Sequence, residues 1–490
     1  MFGKVLIANR GEIAIRVARA CRELGIKTVA VYSTEDRDSA IRRYADEAVH
    51  IGPGPAKRSY LNMPAIIEAA RQTGADAIHP GYGFLSEDPD FAEVCLANDV
   101  VFIGPSAEAI SALGEKSAAR MIMAAAGLPV LPGSRSPVRS PEEACEIAEE
   151  TGFPVIIKAV AGGGGRGMRV VHDRRDFLRE YRGTAAEAQA LFGDSRVYLE
   201  RYLPSARHVE VQILGDSYGN AIHLGLRDCS VQRRHQKLLE ESPAPSLPAD
   251  IARRMGEDAV AGAKACGYVG AGTFEFLLDP GNDYFFIEAN CRIQVEHPVT
   301  EMVTGVDLVQ QQLKIAADQP LELRQQDVTS RGVALECRIN MEDPDRSFAP
   351  CPGRIDSLTL PAGPFVRVDT HGFAGYRMPA IYDSLLAKVI TWAATRDDAV
   401  ARMDRALSEL EISGPGIATT AQFLRRVLAA EEFRAASHDT GLVPRLQDTG
   451  NQDTGNTGNP LKTHGGKDVR TDAAVGDRHR SDQRHRVRGS

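Results

Sequence analysis

Hydrophobic and polar positions follow two different periods along the first part of the chain. Four short apolar runs have the length and composition of buried strands, at residues 4–9, 28–32, 77–80 and 100–103. After the first run, Ile13, Val17 and Leu24 recur at helical spacing, which predicts a helix over 11–25. Strands that alternate with helices in this way predict a doubly wound α/β domain. The segment 81–87 is a loop that is equally consistent with a plain turn and with part of a site.

A run of prolines between residues 129 and 137 interrupts this pattern and predicts that a second, smaller domain begins near residue 131. Inside it, a strand at 154–159 precedes a glycine-rich segment at 162–168 and a further strand at 169–171. Glycine has no Cβ, so backbone N–H groups of such a loop can approach an anion closely. No Gly-Lys-Ser/Thr opens a helix here, so this is not a Walker loop. The hairpin predicts a mobile flap over nucleotide phosphates, and a flexible linker is the alternative.

A basic run at 227–237 follows two strands of alternating polarity. If the run is extended, Arg233, His235 and Lys237 lie on one face of it, because side chains alternate along a strand. Such a face suits a small anion or a ribose. A solvated loop is the alternative for a run of charges.

Two strands at 272–278 and 284–287 are separated by a short Asp- and Gly-rich turn and predict an antiparallel hairpin. In this hairpin Glu275 can face Glu288 and Asn290. Hard oxygen donors beside a phosphate flap are what Mg²⁺ or Mn²⁺ requires, with nucleotide phosphates and water completing the coordination shell. Without a cation, carboxylates held this close would repel each other.

The stretch 286–297 shows a two-residue alternation that predicts an extended strand. One face carries two carboxylates, two amides and a guanidinium, which belong to Glu288, Asn290, Arg292, Gln294 and Glu296. The other face is small and apolar. Five metal- and anion-binding side chains in register predict the floor of an active site, and an exposed edge strand is the alternative.

Two further candidates lie on predicted regular elements. A helix capped by Ser106 carries Lys116, and a strand at 332–340 carries Arg338. A solvated lysine and a structural ion pair are the respective alternatives. After residue 445 hydrophobic residues almost vanish, which predicts a disordered polar tail over 446–490.

Composition narrows the class of protein. A chain of 490 residues is too long for one compact core, so we expect two or three domains. The formal net charge of −8 does not favour a nucleic-acid-binding surface. No apolar run approaches the roughly 20 residues that span a membrane, and we expect no signal peptide. The eight cysteines form no Cys-x-x-Cys pair, which predicts reduced thiols, a cytoplasmic location and no structural zinc.

Three motifs are specific enough to indicate a family. They are Gly-Gly-Gly-Gly-Arg-Gly-Met at 162–168, Arg-Asp-Cys-Ser-Val-Gln-Arg-Arg-His-Gln-Lys at 227–237 and Arg-Ile-Gln-Val-Glu-His-Pro-Val-Thr-Glu at 292–301. Together with the two lysines and the paired carboxylates, they resemble biotin carboxylase, an ATP-grasp enzyme, over about residues 1–445. The resemblance implies an N-terminal α/β domain (1–130), an ATP-grasp lid (131–203) and a C-terminal antiparallel-sheet domain (204–445).

The resemblance also implies a reaction. ATP, bicarbonate and two ions of Mg²⁺ or Mn²⁺ would serve to carboxylate biotin on a carrier protein, with carboxyphosphate as the intermediate. Glu296 would deprotonate bicarbonate, and Lys237 and Arg292 would assist. Phosphate released from the intermediate would take the ureido proton of biotin. Arg338 would bind biotin and stabilise its enolate-like form.

The other roles carry over position by position. The nucleotide phosphates would contact Lys116, Lys158, Gly164 and Gly165. The adenine site would be lined by Glu200, Arg201 and Leu203, and the nucleotide sugar would contact His208, Gln232 and His235. The metal ligands would be Glu275, Glu288 and Asn290. Bicarbonate would be bound by Lys237, Arg292, Gln294 and Val295.

The chain departs from the usual residues of this family at Leu226, Ala289 and Cys291. Because Ala289 and Cys291 lie on the apolar face of the 286–297 stretch, we expect them to alter packing behind the site and not its chemistry. No Ala-Met-Lys-Met biotinylation motif and no carboxyltransferase region follow. The resemblance therefore implies a stand-alone subunit, as a homodimer, that needs a separate biotin carboxyl carrier protein and a carboxyltransferase. The transferase would choose the acetyl-CoA or other acyl-CoA acceptor.

Two other functions stay open at this point. Another ATP-grasp ligase, of the carbamoyl-phosphate or purine type, would share the nucleotide site, although the residues at 292–297 disfavour it. A catalytically weakened subunit that binds nucleotide and carrier would keep the same fold.

Overall fold

The structure is a computed structural model that describes residues 1–161 and 166–453. The predicted phosphate contacts Gly164 and Gly165 lie outside the described residues, as does the 454–490 part of the predicted tail. Residues 1–446 fold as one unit, and the described part of the remainder continues the last helix of that unit.

The first part of the chain alternates strands and helices. Its elements are β1 (Lys4–Ile7), α1 (Gly11–Glu23), β2 (Lys27–Tyr32), α2 (Ile41–Tyr44), β3 (Glu47–His50), α3 (Met63–Thr73), β4 (Ala77–His79), α4 (Pro89–Ala97), β5 (Val101–Phe102), α5 (Ala107–Gly114) and α6 (Lys116–Ala125). The strands form a parallel sheet in the order β3-β2-β1-β4-β5. Val5 and Ile7 pack in one apolar cluster, whereas Leu6 and Ala8 pack in another. Both faces of the sheet are therefore covered, which explains the continuous apolar runs and confirms the predicted doubly wound domain.

The next segment has a small core of its own. Its elements are α7 (Pro141–Thr151), β6 (Val155–Ala159), β7 (Met168–Val171), α8 (Arg174–Phe192) and β8 (Val197–Arg201). The strands form an antiparallel sheet in the order β7-β6-β8, in which Lys158 lies between Met168 and Tyr198. The pairing of β6 with β7 confirms the predicted hairpin around the glycine segment.

The rest of the chain is built on one large antiparallel sheet. Its elements are β9 (Arg207–Gly215), β10 (Ala221–Arg233), β11 (Gln236–Ser242), α9 (Ala249–Ala265), β12 (Gly270–Leu278), β13 (Tyr284–Asn290), α10 (His297–Thr304), α11 (Leu308–Ala316), β14 (Val333–Asn340), β15 (Glu342–Asp343), β16 (Ala349–Pro350), β17 (Ser357–Thr359), β18 (Val366–Thr370), β19 (Leu385–Ala393), α12 (Arg396–Glu409), β20 (Glu411–Ser413), α13 (Ala421–Ala429), α14 (Glu431–Arg434) and α15 (Leu442–Asp453). The sheet has 8 strands in the order β13-β12-β9-β10-β11-β14-β19-β18.

The stretch 286–297 is not one extended strand, contrary to the prediction from its alternation. β13 ends at Asn290, an irregular loop follows over 291–296, and α10 begins at His297. Pro298 stands in the first turn of α10, where its missing N–H is tolerated and its fixed φ favours a helix. The polar side chains beyond Asn290 are therefore presented by a loop and not by a strand face.

The basic run 227–237 is also not a single extended segment. Arg234 and His235 form the turn between β10 and β11, with φ of 48° and 66°. Such left-handed residues are typical of tight hairpin turns, whose twist matches that of the strands. In the hairpin Gln232 pairs with Lys237, and Arg233 pairs with Gln236. Arg233 and Lys237 consequently point to opposite faces, and the predicted common face is wrong.

The predicted single helix from Ser106 to beyond Lys116 is in fact two helices. The Ser106 hydroxyl caps α5 by accepting a hydrogen bond from the Ala109 N–H at 3.2 Å. Glu115 is extended and interrupts the helix, so that Lys116 becomes the first residue of α6.

Helix α15 crosses residue 446, where the disordered tail was predicted to begin. Leu442 and Val443 are buried in the apolar cluster of the C-terminal segment, and the helix continues to Asp453. The prediction is wrong for 446–453, because a helix fixed by buried residues extends further at little cost.

No helix within the described residues is long and apolar enough to cross a lipid bilayer.

Candidate active site

Carboxylates from three neighbouring strands form the floor of a polar site. The register of β9, β12 and β13 places Glu210 opposite Glu275, and Glu275 opposite Glu288. Glu210 and Glu275 are buried. The Asn290 side-chain amide donates to Glu275 Oε1 at 2.9 Å. The predicted approach of Glu275 to Glu288 and Asn290 is therefore confirmed.

Lys237 offsets the negative charge of this floor. Its Nζ lies 2.6 Å from Glu210, 3.0 Å from Glu275 and 2.6 Å from Glu296. Burial alone would lower the pKa of Lys237, but the surrounding anionic groups raise that pKa well above its ordinary value. Burial likewise opposes the ionisation of Glu275, yet Lys237 and His208 hold the pKa of Glu275 well below its usual range. The floor thus consists of charged groups that compensate one another.

Glu296 is completely buried between two cations. Its Oε1 lies 2.6 Å from Lys237 Nζ, and its Oε2 accepts a hydrogen bond from Arg338 at 2.7 Å. Burial favours the neutral acid, but Lys237, Arg338 and Arg227 hold the pKa of Glu296 well below its usual range. Glu296 is consequently an ionised carboxylate that can accept a proton.

The loop after β13 is organised around Arg292. Its guanidinium donates to Glu87 at 2.7 Å, to the Gln294 side-chain oxygen at 2.9 Å and to the Asn290 side-chain oxygen at 3.1 Å. Glu87 also accepts a hydrogen bond from the Cys291 N–H at 2.9 Å. Glu87 belongs to a loop for which the sequence left a plain turn open, and the structure shows that this loop holds the site.

Two donors in the same loop have no hydrogen-bond acceptor among the described residues. Gln294 is buried, and its Nε2 is without a partner. The backbone N–H of Val295 likewise donates no hydrogen bond. Because Gln294 is bonded to Arg292, these free donors lie close to a fixed positive charge. The combination suits a small oxyanion.

The two predicted phosphate lysines each contact a carboxylate. Lys116 pairs with Glu288, and Lys158 pairs with Glu200. Glu200 is buried, and its second oxygen lies 3.1 Å from Arg120 Nε. Burial opposes the ionisation of Glu200, but Lys158 and Arg120 hold its pKa below the ordinary value. The Glu200 carboxylate is therefore occupied by cations.

One backbone N–H that follows Glu200 is free to contact a planar base. The Arg201 N–H donates to the Pro132 carbonyl at 2.8 Å, which fixes the end of β8. The Leu203 N–H donates no hydrogen bond to any described residue. It is thus available to a ligand, as expected of an adenine site.

The structure brings together two of the three residues predicted to contact the nucleotide sugar. His208 Nε2 lies 2.9 Å from Glu275, and His208 Nδ1 lies 3.3 Å from the Gln232 side-chain nitrogen. His235 is exposed in the turn between β10 and β11. The two groups therefore line the floor, and His235 lies at its edge.

Two charged residues of the floor were not predicted. Arg227 has no exposed surface and bonds to the side chains of Glu210 and Gln212. Alternation would have placed Glu210 on one face with His208 and Gln212, and Arg227 opens the basic run. The sequence therefore indicated the positions of Glu210 and Arg227. It could not show that the two side chains pair and are buried together, because they lie on different strands.

Family models cover nearly all of the described chain. Residues 1–110 match the biotin carboxylase N-terminal domain, 115–324 the ATP-binding domain of the carbamoyl-phosphate synthase L chain, and 336–445 the biotin carboxylase C-terminal domain. Biotin carboxylase 1 of Bacillus subtilis is 54% identical over 444 residues, which cover 90% of this chain and 98% of that protein. Biotin carboxylase of Pseudomonas aeruginosa is 56% identical over 415 residues, or 84% and 92% of the two chains.

The chain belongs to the biotin carboxylase family.

Solved structures of this family have the same fold. Biotin carboxylase from Campylobacter jejuni, in a complex described as β,γ-ATP, gives a TM-score of 0.88 at 48% identity and covers 91% of this chain and 99% of its own. The biotin carboxylase domain dimer of Hydrogenobacter thermophilus 2-oxoglutarate carboxylase, with MgADP and bicarbonate, also gives 0.88, at 46% identity over 91% and 98%.

The three departures from the usual biotin carboxylase residues lie in apolar surroundings. Leu226, Ala289 and Cys291 are all buried in one hydrophobic cluster behind the carboxylate floor. This confirms the expectation that Ala289 and Cys291 face away from the polar site. Retention of activity despite these residues stays a prediction.

Proposed function

We propose that this biotin carboxylase transfers a carboxyl group from bicarbonate to biotin on a separate carrier protein, with cleavage of ATP to ADP and phosphate. The observation that carries the proposal is the position of Glu296. It is an ionised, fully buried carboxylate between Lys237 and Arg338, at the junction of the carboxylate floor and the oxyanion loop. A base in that position can remove a proton from a weakly nucleophilic anion and so activate it for attack.

Bicarbonate binds at the loop over 291–296. Arg292 and Lys237 supply positive charge, and the unpartnered Gln294 Nε2 and Val295 N–H supply directed hydrogen bonds. Fixed donors of this kind orient an anion and stabilise charge that develops during reaction. The bicarbonate named for the Hydrogenobacter thermophilus relative supports bicarbonate as the anion.

Glu296 takes the bicarbonate proton as the bicarbonate oxygen attacks the γ-phosphorus. Because its pKa is low, proton transfer accompanies the attack and does not precede it. The new O–P bond gives carboxyphosphate, and the bond to ADP breaks. Carboxyphosphate then separates into CO₂ and phosphate.

The second step carboxylates biotin. Phosphate takes the ureido N–H proton, and the nitrogen attacks the CO₂ carbon. Arg338 holds the negative charge that develops on the ureido oxygen. Since Arg338 also lies 2.7 Å from Glu296, both steps take place at neighbouring side chains.

Glu275, Glu288 and Asn290 offer carboxylate and amide oxygens, the ligands that Mg²⁺ or Mn²⁺ prefers, and they would hold two such ions. The Asn290 oxygen, which accepts a hydrogen bond from Arg292, would have to give up that contact. Glu275 and Glu288 face each other across two strands, which is the arrangement that a cation stabilises. When bound, the ions offset charge on the transferred phosphoryl group. Lys116, which pairs with Glu288 here, would then contact a phosphate oxygen instead.

The nucleotide lies between the second segment and the large sheet. Lys158 binds phosphates, and phosphate contact by Gly164 and Gly165 is implied by the family resemblance alone. Water must be excluded from the site, because it would hydrolyse carboxyphosphate. The residues that line the adenine are Glu200, Arg201 and Leu203, and those that contact the sugar are His208, Gln232 and His235. The free N–H of Leu203 supports this orientation.

The chain acts with a biotin carboxyl carrier protein and a carboxyltransferase subunit, as a homodimer in the cytoplasm. The dimer named for the Hydrogenobacter thermophilus domain supports the oligomeric state. All eight cysteines are free thiols, which suits a reducing compartment. Co-purification from the native cell, followed by mass spectrometry, tests the assembly and identifies the acyl-CoA acceptor through the transferase.

The direct test of the function is steady-state ATP cleavage by the purified chain. We expect cleavage to require bicarbonate and Mg²⁺ and to rise on addition of free biotin. Cleavage that does not respond to biotin would assign the chain to another ATP-grasp reaction. No cleavage above the level of a Glu296→Gln variant would indicate a regulatory subunit.

A further inference from the structure

Lys388 is a buried cation that lies next to the site and has no role in the proposed mechanism. It stands on β19 and has no exposed surface. The sheet register places it directly between Arg338 on β14 and Asp369 on β18. Directly opposed residues share a face of the sheet, so Lys388 and Arg338 project side by side.

These two neighbouring cations hold two consecutive residues of the site loop. Lys388 Nζ donates to the backbone carbonyl of Val295 at 2.6 Å. Arg338 donates to the Glu296 carboxylate at 2.7 Å. The Val295 carbonyl belongs to the peptide unit that joins Val295 to Glu296. Lys388 therefore fixes the backbone of the base, and Arg338 fixes its side chain.

Lys388 keeps its charge although it is buried. Burial lowers the pKa of Lys388, but Glu12, Glu336 and Asp369 outweigh burial and raise it. Its Nζ lies 3.2 Å from Glu12 Oε1. A charged donor in a dry environment forms a stronger hydrogen bond than a neutral one. The Val295 carbonyl is thus held firmly.

The same contacts reach the N-terminal α/β domain. Glu12 Oε1, which faces Lys388, also accepts a hydrogen bond from the Tyr82 hydroxyl at 2.7 Å. Tyr82 belongs to the loop that carries Glu87, and Glu87 holds Arg292 and the Cys291 N–H. The site loop is consequently fixed at its start through Glu87 and near its end through Lys388.

We propose that Lys388 is a positioning residue for the bicarbonate step. By holding the Val295–Glu296 peptide, it keeps the free Val295 N–H and the Glu296 base in the orientation that bicarbonate needs. Glu12 is its counter-ion. This inference rests on the proposed function of the loop over 291–296.

Loss of Lys388 should impair the use of bicarbonate and leave nucleotide binding unaltered. The direct partners of Lys388 are the Val295 carbonyl and Glu12, and neither belongs to the residues proposed to bind ATP. Loss of a charged hydrogen bond of about 1.5–3 kcal/mol corresponds to a change of roughly 10- to 150-fold. We expect the KM for bicarbonate to rise by that factor.

Two variants separate positioning from folding. Lys388→Met removes the donor and leaves Glu12 buried without its cation, which lowers stability. In the double variant Glu12→Gln with Lys388→Met both charges are removed together, so part of the lost stability returns. Neither variant contains a donor that reaches the Val295 carbonyl. Both variants should therefore show the raised bicarbonate KM, with an ATP KM close to that of the unaltered enzyme.

The measurement is biotin-dependent ATP cleavage at varied bicarbonate and at varied ATP, together with thermal melts. A double variant with a normal bicarbonate KM would overturn the proposal, and so would equal rises in both KM values. If neither variant folds, Lys388 serves folding, and the proposal is again overturned. Failure of the proposed function looks different, because the unaltered chain itself would then show no response to bicarbonate and biotin.

Discussion

Glu296 and Glu240 are both completely buried and both contact Arg338, yet their pKa values are displaced in opposite directions. Burial favours the neutral form of each. For Glu296, contacts with Lys237 and Arg338 outweigh burial, and its pKa is well below the usual range. For Glu240, burial and the nearby Glu296 charge outweigh Arg338 and raise the pKa to about 7. The neighbours therefore favour the protonated form of Glu240 more than that of an ordinary carboxyl and leave Glu296 ionised and able to accept a proton.

Glu296→Gln removes the proposed base and keeps the size of the side chain. We expect kcat for biotin-dependent ATP cleavage to fall by about 10²–10⁴, the usual contribution of a general base. ATP affinity should change little, because Glu296 contacts no residue of the adenine site. Steady-state kinetics and nucleotide titration measure both quantities.

The matched control for this variant is Glu257→Gln. Glu257 is exposed on α9 and pairs only with Arg253 in the described structure, so its removal should leave kcat unaltered. A loss of less than tenfold in the Glu296 variant would contradict its assignment as the base.

Glu240→Gln should change how stability depends on pH. The pKa of Glu240 is raised in the folded protein, so its favourable contribution is complete below the ordinary carboxyl pKa and is lost as pH rises through about 7. The unaltered chain should therefore lose stability from about pH 5 to about pH 7 relative to the variant, on the order of 1.4 kcal/mol per pKa unit. Urea unfolding at several pH values measures the difference. Parallel curves for the two proteins would show that Glu240 does not titrate in this range.

At the scale of elements, the sequence predicted strands and hairpins better than it predicted the site loop. The alternation around Glu275 and Glu288 predicted the β12–β13 hairpin and its facing carboxylates, since a strand with one packed face keeps its register. The same alternation runs on past Asn290 into a loop. There the conformation depends on Glu87, a residue distant in sequence that binds Arg292. A contact over such a separation leaves no local signal.

Gly133→Ala tests how one element positions the nucleotide. A Cβ at residue 133 would lie 2.1 Å from the Leu199 carbonyl oxygen on β8. The chain around residue 133 must then move away from β8 and disturb the bridge between Gly133 and Glu200. Such overpacking costs about 1–3 kcal/mol. We expect ATP affinity to fall about tenfold, as measured by calorimetric titration.

Gly114→Ala provides the control for this element, since a Cβ at residue 114 has no neighbouring atom within 4 Å. It should bind ATP as the unaltered chain does. Equal affinities in the Gly133 and Gly114 variants would indicate that the backbone of β8 does not hold the nucleotide.

At the scale of the whole molecule, one sheet unites parts of the chain that match separate family models. Strands β9–β13 lie within the match to the ATP-binding domain, and β14, β18 and β19 lie within or next to the match to the C-terminal domain. Lys237 comes from β11 and Arg338 from β14, which are adjacent strands of that sheet. Both contact Glu296. Phosphoryl transfer and biotin carboxylation are thereby placed on the same rigid support, which keeps the reactive groups in register.

In the proposed reaction, bicarbonate that is activated beside Glu296 attacks the γ-phosphate of ATP. The most direct measurement uses bicarbonate labelled with the heavy isotope of oxygen, followed by mass spectrometry of the released phosphate and biotin. If carboxyphosphate forms, its bridging oxygen stays with phosphorus, so each turnover should give phosphate with one labelled oxygen and biotin with a labelled carboxyl group. Phosphate without label, formed while ATP is cleaved and biotin is present, would rule out this reaction, because water would then be the nucleophile.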